Sequence, residues 1–124
     1  MKIRALSKRN SLEEKPQEAL REEFGKAEKF DEIRIGQTCL FYRGFLRIRF
    51  VLLEDCKQIF LRVEFGEYGE FPLHEHYIVV RTKRGEEFRL RMEHPDEAKK
   101  LMVFLEKYSD EIELGKSPKE SSDN

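Results

Sequence analysis

Apolar and charged residues alternate most regularly between Arg43 and Phe65, which reads RGFLRIRFVLLEDCKQIFLRVEF. Leu46, Ile48 and Phe50 share one phase, and Arg47 and Arg49 share the other. After the polar break Glu54-Asp55-Cys56-Lys57 the period resumes, with Ile59, Leu61, Val63 and Phe65 set against Arg62 and Glu64. A period of two belongs to a strand with one buried and one wet face. The stretch is therefore expected to form the core hairpin of a sheet, apolar phase inward and arginines outward.

The flanking pattern extends that sheet. Ile33 and Ile35 make a short strand, and Thr38–Arg43 (TCLFYR) a second whose nearly continuous apolar run predicts cover on both faces. Gly44 permits a reversal into Phe45–Leu53, and Gln58–Phe65 is the fourth strand. Gly66–Pro72, with two glycines and a proline, reads as a loop. His76–Lys83 is a fifth strand, and Arg84-Gly85 turns the chain into a sixth, Glu86–Met92. Helices flank the strands. Pro16–Lys29 places Leu20, Phe24 and Ala27 on one face, weakened at Gly25 by about 1 kcal/mol relative to alanine. Ser11–Glu14 fits a capping box just before it. Pro95 opens a second helix, in which Ala98, Leu101, Met102, Leu105 and Tyr108 recur at helical spacing and Val103 and Phe104 widen the stripe. Residues 1–10 are basic and unpatterned and are expected to be mobile, and those beyond Ser109 read as a solvated tail. The chain thus divides into an arm and helix (1–29), a sheet domain (30–109) and a polar tail (110–124).

Composition narrows the function classes. The 124 residues suit one domain. Lys and Arg number 24 against 25 Asp and Glu, so no long-range field draws in nucleic acid or membranes and such a role would need a local patch. Nucleic acid is a poor fit, since only Phe60 interleaves an aromatic with the basic phase. Cys39, in an apolar run, and Cys56, beside a turn, are too few for a disulfide framework and read as small buried thiols. No stretch has the length or apolarity of an export signal or membrane span, so a cytoplasmic protein is expected.

The order of antiparallel strands followed by one helix resembles the pleckstrin-homology-like (PH-like) split barrel, and the bacterial PH-like families in particular. The resemblance runs over Phe30–Ser109, through Gly36-Gln37-Thr38-Cys39-Leu40-Phe41-Tyr42-Arg43, Leu46-Arg47-Ile48-Arg49-Phe50, Tyr77-Ile78-Val79-Val80 with Gly85 and Phe88, and the helix after Pro95. It implies an α+β fold: a six- to seven-stranded antiparallel barrel capped by the C-terminal helix, with the N-terminal helix as an addition. Phe71–His74 would supply a seventh strand. The tryptophan usual in the last helix of signalling PH domains is missing here. The resemblance further implies a non-catalytic protein-binding or self-assembly module with no cofactor.

Three sets of residues carry candidate chemistry. Arg43, Arg47, Arg49, Arg62, Arg89 and Arg91 lie on polar phases, and guanidinium groups suit bidentate contact with phosphate or carboxylate. In phosphoinositide-binding PH domains a lysine, a loop and a basic-x-basic pair hold phosphate. Arg43 followed by Arg47-Ile48-Arg49 resembles that pattern and implies an anionic lipid headgroup or phosphorylated partner as the alternative ligand. The plainer reading pairs these arginines with Glu64, Glu87 and Glu93 on a solvated face. His74 and His76 point the same way in an extended strand, but a metal site needs a third ligand, which only the distant His94 could supply, so no metal is expected. Glu54-Asp55 and Ser109-Asp110 are the acid–base candidates. No nucleophile stands with a histidine and a glycine-rich turn, and no phosphate loop or HExxH occurs, which argues against an enzyme.

Overall fold

The computed structural model of the chain describes residues 2–6, 16–44, 46–68, 71–108 and 111–115. The elements are β1 (Ile3–Ala5), α1 (Gln17–Lys26), β2 (Glu28–Phe30), β3 (Ile33–Ile35), β4 (Cys39–Gly44), β5 (Arg47–Leu52), a 3-10 turn (Leu53–Asp55), β6 (Cys56–Tyr68), β7 (Phe71–Thr82), β8 (Glu87–Met92), α2 (Pro95–Tyr108) and β9 (Glu113–Leu114). The fold is α+β. Five strands form one mixed sheet in the order β1-β5-β4-β3-β2, and four form a second in the order β8-β7-β6-β9. The sheets are separate and do not close into a barrel.

Two cores hold these layers. Between the sheets, Ile33, Ile35, Leu40 and Val51 meet Ile59, Ile78, Val80 and Leu90, and α2 adds Ala98, Leu101 and Leu105. On the other side of the first sheet, Cys39, Phe41, Ile48 and Phe50 pack with Ile3 and with Leu20 of α1. Phe24 of α1 meets Phe41 edge-on, ring centroids 5.3 Å apart. The run TCLFYR is therefore covered on both faces, as its apolar continuity requires, and Cys39, Leu40 and Phe41 are fully buried. Both cysteines are buried and free.

The expected core hairpin is not a hairpin. β5 pairs with β4 and β1, whereas β6 pairs with β7 and β9, so Arg43–Phe65 turns a corner from one sheet into the other at Leu53–Asp55. Periodicity shows that a strand has a buried face but does not name its neighbour. The expected loop Gly66–Pro72 is instead largely strand. Past a register shift after Cys56, β6 and β7 stay in register from Gln58↔Arg81 to Tyr68↔Phe71, which also absorbs Phe71–His74 into the fifth expected strand. Backbone pairing with the partner strand outweighs the local turn preference of Gly66 and Pro72.

Short segments near both termini join the sheets. Ile3–Ala5 was expected to be mobile but adds in parallel to β5, and Gln17 of α1 secures it. The Gln17 side-chain oxygen accepts from the Ile3 N–H at 2.9 Å, and its amide donates to the Ile3 carbonyl at 2.8 Å. β9 lies in parallel on β6 with Ile112 buried beside it, so the polar tail begins later than expected. The first helix stops at Lys26, three residues short of its expected end. Ala27 turns extended and Glu28–Phe30 pairs back on β3, which seats Phe30 in the core against Phe104. The capping box Ser11–Glu14 lies outside the described residues. α2 spans its expected length, with Val103 on its exposed side.

Candidate functional site

The six arginines divide over three places. β4 and β5 form a hairpin in register from Cys39↔Leu52 to Gly44↔Arg47. Arg43 pairs with Ile48 on the α1 side of that hairpin, while Tyr42↔Arg49 and Gly44↔Arg47 look toward the second sheet. Arg47, exposed, and Arg49, half-buried, thus lie on the face of the hairpin turned toward the second sheet. Leu46, expected in the core phase, sits in the turn with φ 65° and is 77% exposed.

A cleft of about 410 Å³ opens between this hairpin and the edge strand β8. Arg47, Arg49 and Arg89 line it together with Tyr42, Phe88 and Glu87. A second cleft of about 480 Å³ adjoins it across Tyr42 and Gly44, and holds Arg43, Arg91, Leu46, Glu32 and Glu93. The Tyr42 hydroxyl bridges the two sheets by donating to the Arg91 carbonyl at 3.4 Å. Burial, and then the charge of Glu32, push its pKa up, so the phenol stays a neutral donor.

The pairing state of the arginines separates them further. Glu64 receives both Arg62, at 3.3 Å, and Arg89, which also lies 4.6 Å over the Tyr77 ring. Arg91 is 3.8 Å from Glu75, and Glu87 is held by Arg81 at 2.8 Å. The charge-balanced reading thus holds for Glu64, while Glu87 is held by Arg81 and not by one of the six arginines, Arg91 lies by Glu75, and Glu93 forms no ion pair with an arginine among the described residues. Arg43, Arg47 and Arg49 form no ion pair among the described residues. Arg62 lines neither cleft and belongs to the ladder. Phe60, the one aromatic on the basic phase, is fully buried, with the Arg81 guanidinium 5.1 Å from its ring centroid.

His74, His76 and His94 do not converge into a metal-binding group among the described residues. His74 stacks edge-on to Phe65, and His76 faces Val63 and Met92 in register. His94 instead meets Asp31 and Glu93, whose ligand atoms and its own fall within 4.8 Å of one another. That cluster does structural work. One Asp31 oxygen accepts from the Glu93 N–H at 2.7 Å and the His94 N–H at 3.0 Å, and the other lies 3.2 Å from His94 Nδ1. The carboxylate ties the start of α2 to the β2–β3 turn. Sixty-three residues separate Asp31 from His94, so no local spacing announces the pair.

Glu54 is exposed, and Asp55 sits in the 3-10 turn beside Cys56. Burial, then the charge of Asp55, push the Cys56 thiol up to about 12, so it is an inert thiol at neutral pH. Ser109-Asp110 lies outside the described residues. Among the described residues no helix is long and apolar enough to cross a membrane. Comparison with protein families, characterised proteins and solved structures finds no match to this chain.

Proposed function

We propose that the chain is a non-catalytic, PH-like binding module that takes an acidic protein segment in the arginine-lined clefts. The observation that carries this reading is the set Arg43, Arg47 and Arg49: three cations at the rim of two adjoining clefts, without a carboxylate partner among the described residues. The PH-like reading is supported by two packed sheets followed by a C-terminal helix that lies against both. Guanidinium forks donate two parallel hydrogen bonds to a carboxylate, and the cleft walls contribute Phe88, Leu90 and Leu6 for apolar contact. A protein segment fits better than a lipid or nucleic-acid surface. Glu32, Glu87 and Glu93 share the rims and would repel a dense array of phosphates, and the net charge of -1 supplies no compensating field.

The test is fluorescence anisotropy of a labelled poly-glutamate peptide titrated with the full chain at low and high salt. Binding is expected that weakens with salt and drops about tenfold or more in the double variant Arg47→Glu, Arg49→Glu. Arg62→Glu, on the paired ladder, should leave it unchanged. Peptide binding indifferent to the double reversal, or binding to phosphatidylserine vesicles in its place, would sink the reading.

A further inference from the structure

We infer that the two arginine clefts are one elongated site joined across Gly44, which takes an extended protein segment with carboxylates in one half and an apolar side chain in the other. The inference rests on the reading of the clefts as receptors for acidic segments, and it names a second feature such a segment carries. The halves differ in chemistry. In the first, Glu64 and Arg81 take up Arg89 and Glu87, whereas Arg47 and Arg49 form no ion pair among the described residues. That half presents two guanidinium groups to a carboxylate. In the second, Arg43 and Arg91 share the walls with Glu32 and Glu93, so charge is balanced and a further carboxylate gains little. The distinguishing side chain there is Leu46, 77% exposed.

Two residues at the junction break local rules in opposite directions. Position 46 is left-handed, the conformation glycine adopts most readily, yet leucine stands there at φ 65°. Position 44 is not left-handed, yet glycine stands there, at the end of a strand. Both choices cost stability, and an elongated site accounts for both. Tyr42, Gly44, Arg47 and Arg49 share one face of the hairpin, and Tyr42 and Gly44 line both clefts. A Cβ on Gly44 would lie 3.5 Å from the Tyr42 ring and 4.0 Å from the Arg47 carbonyl oxygen, so a methyl group fits there while a branched side chain would project into the seam. A strand glycine of this kind marks the close approach of another backbone. Leu46 adjoins Arg47 and lies three residues from Arg49, at most about 10 Å along the chain. A carboxylate and an apolar residue two or three positions apart in an extended ligand therefore reach both halves.

The test is fluorescence anisotropy of two labelled peptides titrated with the full chain: three glutamates on each side of Gly-Leu-Gly, and the same glutamates around Gly-Gly-Gly. Wild type should bind the leucine peptide about tenfold more tightly, the effect of partly burying one leucine side chain. Leu46→Gly relieves the left-handed backbone, so its urea midpoint should not fall, yet it should bind the two peptides alike. Gly44→Val should keep the circular dichroism of wild type and weaken the leucine peptide about tenfold or more. If Gly44→Val fails to fold, the peptide comparison on wild type and Leu46→Gly decides the proposal without it. Equal affinity of wild type for the two peptides, or a leucine preference that Leu46→Gly retains, overturns the two-part site and leaves the receptor for acidic segments standing. A folded Gly44→Val that binds the leucine peptide as wild type does overturns the junction. Binding of neither peptide overturns both readings.

Discussion

Replacing Asp31 by alanine should loosen the start of α2 from the body of the protein. Its carboxylate accepts two backbone N–H groups, from Glu93 and His94, that would otherwise be unpaired at the helix start. A side-chain cap of this kind contributes about 1–2 kcal/mol, and hydrogen bonds to a charged acceptor lie at the upper end of the range. Asp31 also adopts φ 58°, a left-handed conformation that aspartate tolerates and alanine resists. Together these give an expected loss of about 2 kcal/mol, which for a chain of this length lowers the melting temperature by about 8 °C. Asp31→Asn keeps an acceptor and the backbone tolerance, so it should lose about half as much. Asp31→Gly relieves the backbone but removes the cap, and should fall between them.

The pH dependence of that loss identifies the group. Burial pushes the Asp31 carboxyl up, but hydrogen bonds from the His94 and Glu93 amides and from the His94 ring outweigh it and hold the group below its ordinary value. A depressed carboxyl stabilises the fold above the unfolded value of about 3.9, and that contribution disappears as pH falls through the lower folded value. His94 moves the other way, raised by its hydrogen bond to Asp31 and by that residue's charge. Its contribution is complete below about 6.5 and is lost as pH rises through the folded value. The stability difference between wild type and Asp31→Ala, from urea denaturation followed by circular dichroism, should therefore peak between about pH 4 and 6.5. It should shrink toward pH 8, where the amide contacts remain, and fall near pH 2 to the backbone cost of alanine at φ 58°. A variant within about 0.5 kcal/mol of wild type at pH 5.5, or a difference flat from pH 8 to pH 2, would refute the reasoning.

Two further outcomes follow from the same contacts. Glu23 of α1 accepts from the Thr38 and Cys39 N–H groups at 2.9 and 2.8 Å and from the Thr38 hydroxyl at 2.6 Å, and its side chain occupies the space a Cβ at Gly36 would need. Glu23→Ala should cost about 2 kcal/mol in chemical denaturation, and Gly36→Ala should also destabilise by displacing that carboxylate. Both cysteines are buried and the Cys56 thiol is pushed up to about 12, so a thiol reagent such as dithionitrobenzoate should label neither in native protein at pH 8 and both in denaturant. Rapid native labelling would show that the sheets open at Cys39 or Cys56.

Elements whose cover is spread along a face were legible in the sequence. The α2 stripe Ala98, Leu101 and Leu105 and the strand Glu87–Met92 stand where their periods place them, and the doubly apolar TCLFYR run is buried on both sides. Elements that exist only through a distant partner were not. Ile3–Ala5 and Glu113–Leu114 are too short to show a period, and each is a strand because an edge of β5 or β6 is available to it. Gly66 and Pro72 carry a genuine turn signal, overridden by pairing along the length of β6 and β7.

The arginine phase shows the same limit at the candidate site. Alternation across Leu46–Phe50 distinguishes two faces but does not say which layer covers either. The apolar face of β5 proved to be covered by α1 and Ile3, and the arginine face looks toward the second sheet. A charge-balanced exterior requires carboxylates on the same or a neighbouring strand. Arg62 and Arg89 have one in Glu64 because β6, β7 and β8 belong to a single sheet. Arg43, Arg47 and Arg49 sit on a different sheet, whose segment from Ile33 to Leu53 contains no acid to pair with them. The corner at Leu53–Asp55 thus does more than redirect the chain. It parts arginines that look alike in sequence into a ladder paired with Glu64 and Glu75 on the second sheet and a set on the first that forms no ion pair among the described residues.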